Sequence, residues 1–117
     1  MINRKYARAR PRHTAGTMNK TEAEYYEKLK LMKLSGEIID YRFEALKLNL
    51  ADRCTYTPDF LVINKNYEIE LHEVKGFWED DARVKIKVAA EQYPWFKIIA
   101  VKKNAKKDGG GWKIEEF

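Results

Sequence analysis

The chain of 117 residues has few of the residues that cross-link or interrupt a fold, with one cysteine and three prolines. Cys54 has no second cysteine to pair with and no Cys or His partner at zinc-binding spacing. No apolar run approaches the roughly 18 residues of a membrane-spanning helix, and no charged-then-apolar signal peptide opens the chain. These absences argue against a disulfide-rich secreted protein, a zinc finger and a membrane protein, and we expect a cytoplasmic location.

Acidic residues are missing from the first 20 positions, where six basic side chains stand: Arg4, Lys5, Arg8, Arg10, Arg12 and Lys20. The rest of the chain holds 17 basic and 18 acidic residues, so the net charge of +5 comes entirely from this stretch. Pro11, Gly16 and the lack of an apolar period predict an irregular arm over residues 1–18. Such an arm gains affinity for DNA by releasing counterions from phosphates, although a solubilising tail is the alternative.

Residues 19–117 have the composition of one folded domain, since hydrophobic residues make up 44% of the chain and charged residues 35%. Asn19 and Glu22 are spaced as a capping box for a helix over 20–34, which Gly36 would end. Period-two alternation and short apolar runs predict strands, and acids followed by a basic face predict a second helix. The predicted elements are strands over 38–48, 55–63 and 67–74, a helix over 79–93, and strands over 96–101 and 112–114.

The most informative residues are two carboxylates and a lysine on adjacent predicted strands. Asp59 follows Pro58, which lacks an amide hydrogen and must break or bulge its strand. Glu73 and Lys75 lie two positions apart, so their side chains share one face of the next strand. Two carboxylates that share a divalent cation, beside an ammonium group, are typical of a metal-dependent phosphodiesterase.

The element order and these residues resemble the PD-(D/E)XK nuclease superfamily, whose restriction-endonuclease-like core is αβββαβ with a mixed central sheet flanked by helices. Its "PD" would be Pro58-Asp59 and its "(D/E)XK" would be Glu73-Val74-Lys75. Many members, Holliday-junction resolvases among them, add a glutamate from the first helix, which by position would be Glu22. The stretches around these motifs look most like a small phage-encoded branch of unknown function, in which case the location would be the host cytoplasm.

The resemblance implies an endonuclease that hydrolyses DNA and requires Mg²⁺ or Mn²⁺. Asp59, Glu73 and the carbonyl of Val74 would hold the ion, Glu22 would assist, and Lys75 would stabilise charge at phosphorus. A helix with Arg83, Lys85 and Lys87 would face the substrate backbone. The small size favours recognition of branched or junction DNA by shape, and the two-fold character of a junction favours a homodimer.

Each assignment has a structural alternative. Asp59 could cap local amides, Glu73 and Lys75 could be a surface ion pair, and Glu22 could be only the capping residue. The basic side chains at positions 83, 85 and 87 could be a solvated helix face. We interpret His72 as a surface strand residue, and Tyr41 and Tyr56 as packing residues.

Two other functions stay open from the sequence. One is a nucleic-acid-binding module that keeps the fold without catalysis, although a pure binding surface has no reason to place two acids near phosphates. The other is a nuclease that acts on RNA, flaps or DNA ends. No residue in the chain separates DNA from RNA as the substrate.

Overall fold

A computed structural model of the protein describes residues 16–76 and 80–117. The basic side chains from Arg4 to Arg12, which were predicted to contact DNA, therefore lie outside the described residues. Residues 77–79 lie outside them as well. No helix in the described ranges is long and apolar enough to cross a bilayer. The elements in chain order are α1 (Lys20–Ser35), β1 (Ile38–Phe43), β2 (Leu48–Ala51), β3 (Cys54–Tyr56), β4 (Phe60–Asn64), β5 (Ile69–Lys75), α2 (Asp80–Gln92), β6 (Lys97–Lys103), a 3₁₀ turn (Lys106–Asp108) and β7 (Trp112–Glu116).

Helix α1 begins and ends at the predicted signals. The side chain of Asn19 accepts a hydrogen bond from the Glu22 amide at 2.8 Å, and the Glu22 carboxylate accepts one from the Asn19 amide at 2.9 Å. Gly36 ends the helix in the left-handed region at φ 83°, which glycine adopts at little cost. The capping box therefore fixes the helix start next to the site described below.

The protein has an α/β fold built on a mixed five-stranded sheet in the order β1-β4-β5-β6-β7. Strands β5 and β6 are parallel, and the other neighbours in this sheet are antiparallel. Helix α1 covers one face of the sheet, where Leu29 and Val62 belong to one buried cluster. Helix α2 covers the other face, where Ile86 and Leu71 belong to a second cluster. The predicted α/β class and mixed sheet are confirmed.

Two of the predicted strands are each divided in the structure. The one predicted over 38–48 ends at Phe43, because Glu44 has a positive φ of 48°. The one predicted over 55–63 is interrupted between Tyr56 and Phe60, as expected from Pro58. Strand β2 shares only Leu48 with the first prediction, and it pairs with β3, which comes from the second, in a separate two-stranded sheet.

A register shift near the start of β1 changes which isoleucine is buried. The ladder between β1 and β4 is irregular between Ile38 and Asp40. As a result Ile38 lies in the core and Ile39 is exposed. A bulge of this kind cannot be read from alternation, since it changes the face that each later residue occupies.

Candidate active site

Four chain segments meet at one end of the five-stranded sheet. The amino end of α1 supplies Glu22, the residue before β4 supplies Asp59, and the carboxyl end of β5 supplies Glu73 and Lys75. The carboxyl end of β1 borders them, because the amide of Glu44 donates to the Asp59 carbonyl at 2.8 Å. We call Glu22, Asp59, Glu73 and Lys75 the carboxylate cluster.

Asp59 is held in the gap between β3 and β4. Its carboxylate Oδ2 accepts the amide of Val74 at 2.8 Å, a bond that ties β4 to the end of β5. The side chain is buried, as is the ring of Pro58 beside it. Because one carboxylate oxygen is engaged by the backbone, the other is the oxygen of Asp59 that remains for a ligand.

Glu73 is buried between two donors. Its Oε1 accepts the hydroxyl of Tyr56 at 2.7 Å, and its Oε2 lies 2.9 Å from the Nζ of Lys75. Tyr56 is therefore more than the packing residue that the sequence suggested, because its buried hydroxyl orients the carboxylate of Glu73. The sequence gives only the position of Tyr56 three residues before Asp59, which does not indicate this bond.

Glu22 is the capping residue of α1, and its side chain also lies in the carboxylate cluster. One carboxylate oxygen completes the capping box with the Asn19 amide. The side chain is nevertheless only 5% exposed, and its proximity helps to raise the pKa of the Asp59 carboxyl. A helix cap of this kind is ordinarily solvated, so the burial of Glu22 against a second acid is a property of the site.

The carboxylate cluster carries more negative charge than its surroundings neutralise. Burial, the charge of Glu73 and contact with Glu22 raise the pKa of Asp59 to about 9, although the Val74 amide opposes this shift. Burial disfavours the charged form of Lys75, but the acids of the cluster outweigh it and hold the pKa of Lys75 above its ordinary value. Burial and the adjacent Glu73 also raise the pKa of Tyr56.

The chemistry of this donor set fits a hard divalent cation. Carboxylate oxygens are the ligands that Mg²⁺ and Mn²⁺ prefer, and a cation would offset the excess charge that raises the pKa of Asp59. Within residues 16–76 and 80–117, no three acidic, imidazole or thiol side chains are arranged to ligate one ion together. The residues that would hold such an ion are therefore two carboxylates, Asp59 and Glu73, with Glu22 beside them.

His72 does not belong to this cluster, and its predicted surface position was wrong. It is 6% exposed, on the face of β5 that packs against α1. One ring nitrogen lies 2.7 Å from the hydroxyl of Tyr25, and the other lies 2.8 Å from the carboxylate of Glu70. The side chains of Tyr25, His72 and Glu70 are buried or half-buried between α1 and the sheet, so these hydrogen bonds stabilise the core.

The basic residues predicted to contact DNA have different surroundings. Lys20, Lys85 and Lys87 are exposed. Arg83 instead makes two hydrogen bonds to Glu115 on β7, at 3.0 and 2.6 Å, and its guanidinium lies over the ring of Phe117. This pairing holds α2 against the end of the sheet, whereas the exposed lysines have side chains directed to solvent.

The comparisons with known proteins match a family and nothing more specific. Residues 14–109 match a family described as "Protein of unknown function (DUF1064)", and the whole carboxylate cluster lies within that range. No curated protein and no solved structure matches the chain. Since the match extends over most of the 117 residues, the chain belongs to this protein family of unknown function.

Proposed function

We propose that this protein is a metal-dependent endonuclease that hydrolyses phosphodiester bonds of DNA, with a preference for branched or junction DNA. The observation that carries the proposal is the gathering of Glu22, Asp59, Glu73 and Lys75 at one sheet end. Buried acids at this density are unfavourable unless a ligand compensates them. A cluster with strongly shifted pKa values is a common mark of an active site.

The proposal includes a restriction-endonuclease-like core. If the β2–β3 hairpin is counted as an insertion, the chain order is helix, three strands, helix, strand. The three strands are antiparallel, and β6 joins β5 in parallel after α2 crosses over one face. This order and these strand directions support the αβββαβ assignment, and they bring the Pro58-Asp59 and Glu73-Val74-Lys75 motifs to adjacent strand ends.

In the proposed reaction, Asp59, Glu73 and the Val74 carbonyl would hold Mg²⁺ or Mn²⁺. The ion supplies Lewis-acid polarisation of the scissile phosphate and lowers the pKa of the attacking water. Lys75 is placed to stabilise the charge that develops on the phosphate oxygens, since its ammonium lies at the edge of the cluster. Tyr56 and the Val74 amide each hold one carboxylate in a fixed orientation, which reduces the reorganisation required during the reaction.

The substrate preference rests on size and charge. A single sheet with two helices offers little surface for long sequence readout, so recognition of DNA shape and backbone is favoured. A homodimer would place two such sites on opposed strands of a junction, and this remains part of the proposal. The basic arm over residues 1–18 would add sequence-independent affinity.

The experiment compares four-way junction, flap, duplex and single-stranded DNA with matched RNA, in Mg²⁺, Mn²⁺ or EDTA. We expect cleavage of the junction in Mg²⁺ or Mn²⁺ and none in EDTA. An Asp59→Asn protein, purified in parallel, controls for a contaminating nuclease. Cleavage that persists in EDTA would contradict the metal mechanism, and binding without cleavage in any metal would favour the non-catalytic alternative.

A further inference from the structure

A row of lysines crosses the sheet at the same end as the carboxylate cluster. Lys75 at the end of β5 is paired in the ladder with Lys102 of β6, and Lys102 is paired with Lys113 of β7. Residues directly opposite in a ladder project to the same face of the sheet. These three side chains, which we call the lysine row, therefore stand side by side on three adjacent strands.

The contacts of neighbouring residues identify the face that the row occupies. Glu115, two positions after Lys113, bonds to Arg83 of α2. Ile98, four positions before Lys102, is buried in the cluster that contains Ile86 of α2. Because strand side chains alternate, both observations put the row on the α2 side of the sheet. The row continues outward from Lys75, so it begins at the proposed catalytic lysine.

A row of like charges is unfavourable for the folded state on its own. Like charges directly opposite in a sheet destabilise the pairing. In the described part of the chain, Lys102 and Lys113 form no ion pair, whereas Lys97 pairs with Glu116 and Lys103 pairs with Glu24. Both lysines are exposed. On β6, Lys97 and Lys103 are therefore held in ion pairs, whereas Lys102 between them is not.

The loop after β6 brings further positive charge to the same end. Lys106 and Lys107 are exposed on the short 3₁₀ turn between β6 and β7. Gly109, Gly110 and Gly111 all have positive φ, and the Asn104 amide bonds to the Gly111 carbonyl, so the loop closes tightly. The only acid between Lys102 and Lys113 is Asp108.

We propose that the lysine row, extended by Lys106 and Lys107, binds the phosphodiester backbone of the DNA strand next to the scissile phosphate. Two strand spacings separate Lys75 from Lys113, about 10 Å, which is roughly the axial rise of three nucleotides of one DNA strand. A DNA strand bound along the row would run from Lys75 across β6 and β7. This inference rests on the proposed nuclease function and assigns its substrate-binding surface.

The test is DNA binding by the full chain in Ca²⁺, measured across a salt series with a junction and a duplex. The variant is Lys102→Gln with Lys113→Gln. The matched control is Lys30→Gln with Lys65→Gln, which removes two exposed lysines from the middle of α1 and from the turn between β4 and β5. Each phosphate contact contributes about 0.9 to the slope of log K against log salt.

We expect the row variant to lower the slope by about 1 to 2 and to weaken binding roughly 10- to 100-fold near 0.1 M salt, with a smaller change in the control. Thermal melting should show both variants folded, and the row variant should melt at or above the wild-type temperature because like charges have been removed. Equal slopes for the row variant and the control would overturn the proposed surface while leaving cleavage by the wild type as evidence of the nuclease. A wild type that neither binds nor cuts DNA would overturn both proposals.

Discussion

Strand β5 carries two buried polar clusters that differ in their balance of charge. The first, which we call the relay cluster, consists of Tyr25, His72, Glu70 and Asn64. His72 bonds to Tyr25 and Glu70, and Glu70 also accepts from Asn64 at 2.9 Å. The hydrogen bond from His72 holds the pKa of Glu70 below its ordinary value. The relay cluster has a single carboxylate, and its partners satisfy it.

The carboxylate cluster has three acids and one lysine within a similar degree of burial. No buried side-chain nitrogen or oxygen in the described ranges lacks a hydrogen-bond partner, so hydrogen bonding does not distinguish the clusters. The two clusters differ in their balance of charge, because the pKa of Asp59 is raised to about 9 by burial and by its acidic neighbours. A satisfied and balanced network stabilises a core, whereas buried carboxylates in excess of their cationic partners are unfavourable in the folded state.

The largest effect expected from this difference is on cleavage. Asp59→Asn and Glu73→Gln should each abolish hydrolysis of the best substrate, because each removes a proposed ligand of the cation. Neither change should unfold the protein, since both replacements keep the shape and can still accept the bonds from Val74 and Tyr56. The measurement is the single-turnover rate beside thermal melting, with Glu91→Gln on the exposed face of α2 as the control. Wild-type rates in both variants would reduce the carboxylate cluster to a structural feature.

The opposite result is expected in the relay cluster. Tyr25→Phe leaves a ring nitrogen of His72 without its partner in the core, which should lower the free energy of unfolding by about 1–3 kcal/mol. The cleavage rate should stay near that of the wild type, because Tyr25 has no proposed role in the reaction. Urea unfolding and cleavage assays check this, with Tyr67→Phe as a control because Tyr67 is exposed. Loss of cleavage with unchanged stability would show that the relay cluster serves the reaction.

A third expected effect is a pH dependence of stability in EDTA. The ordinary pKa of an aspartate here is 3.8, and Asp59 in the folded protein has a pKa of about 9. Between these values the folded state retains a proton that the unfolded state has lost, so stability falls as pH rises through this window. Asp59→Asn removes that dependence. The melting temperature of the variant should therefore exceed that of the wild type by an amount that grows between pH 5 and pH 9. A difference that stays constant with pH would show that the pKa of Asp59 is not raised in the folded protein.

The sequence predicted much of the geometry of the candidate site, because the signals are local. The capping box at Asn19 and Glu22 depends on residues three positions apart, and it forms as expected. Pro58 cannot donate to a ladder, and the strand is interrupted there. Alternation in β5 put Glu73 and Lys75 on one face, and their side chains form an ion pair. Local geometry of this kind needs no knowledge of distant partners.

Contacts between residues far apart in the chain could be known only from the tertiary structure. The burial of His72 depends on Tyr25, 47 positions earlier in the chain. The bond between Arg83 and Glu115 spans 32 positions, and it gives a predicted DNA contact a role in packing. The face on which Ile38 is buried depends on the register against β4. Such partners are set by strand pairing and helix docking, which a linear pattern does not specify.

By itself, the sequence determined the α/β class, the order of the main elements and the residues of the carboxylate cluster, because capping, alternation and proline act over a few residues. Only the tertiary structure decided that Glu22 lies against Asp59, that Tyr56 orients Glu73, and that three lysines align across β5, β6 and β7. The physical reason is that charge and burial at a site are sums over neighbours in space. Those neighbours come from separate segments, and the sheet register determines which of them meet.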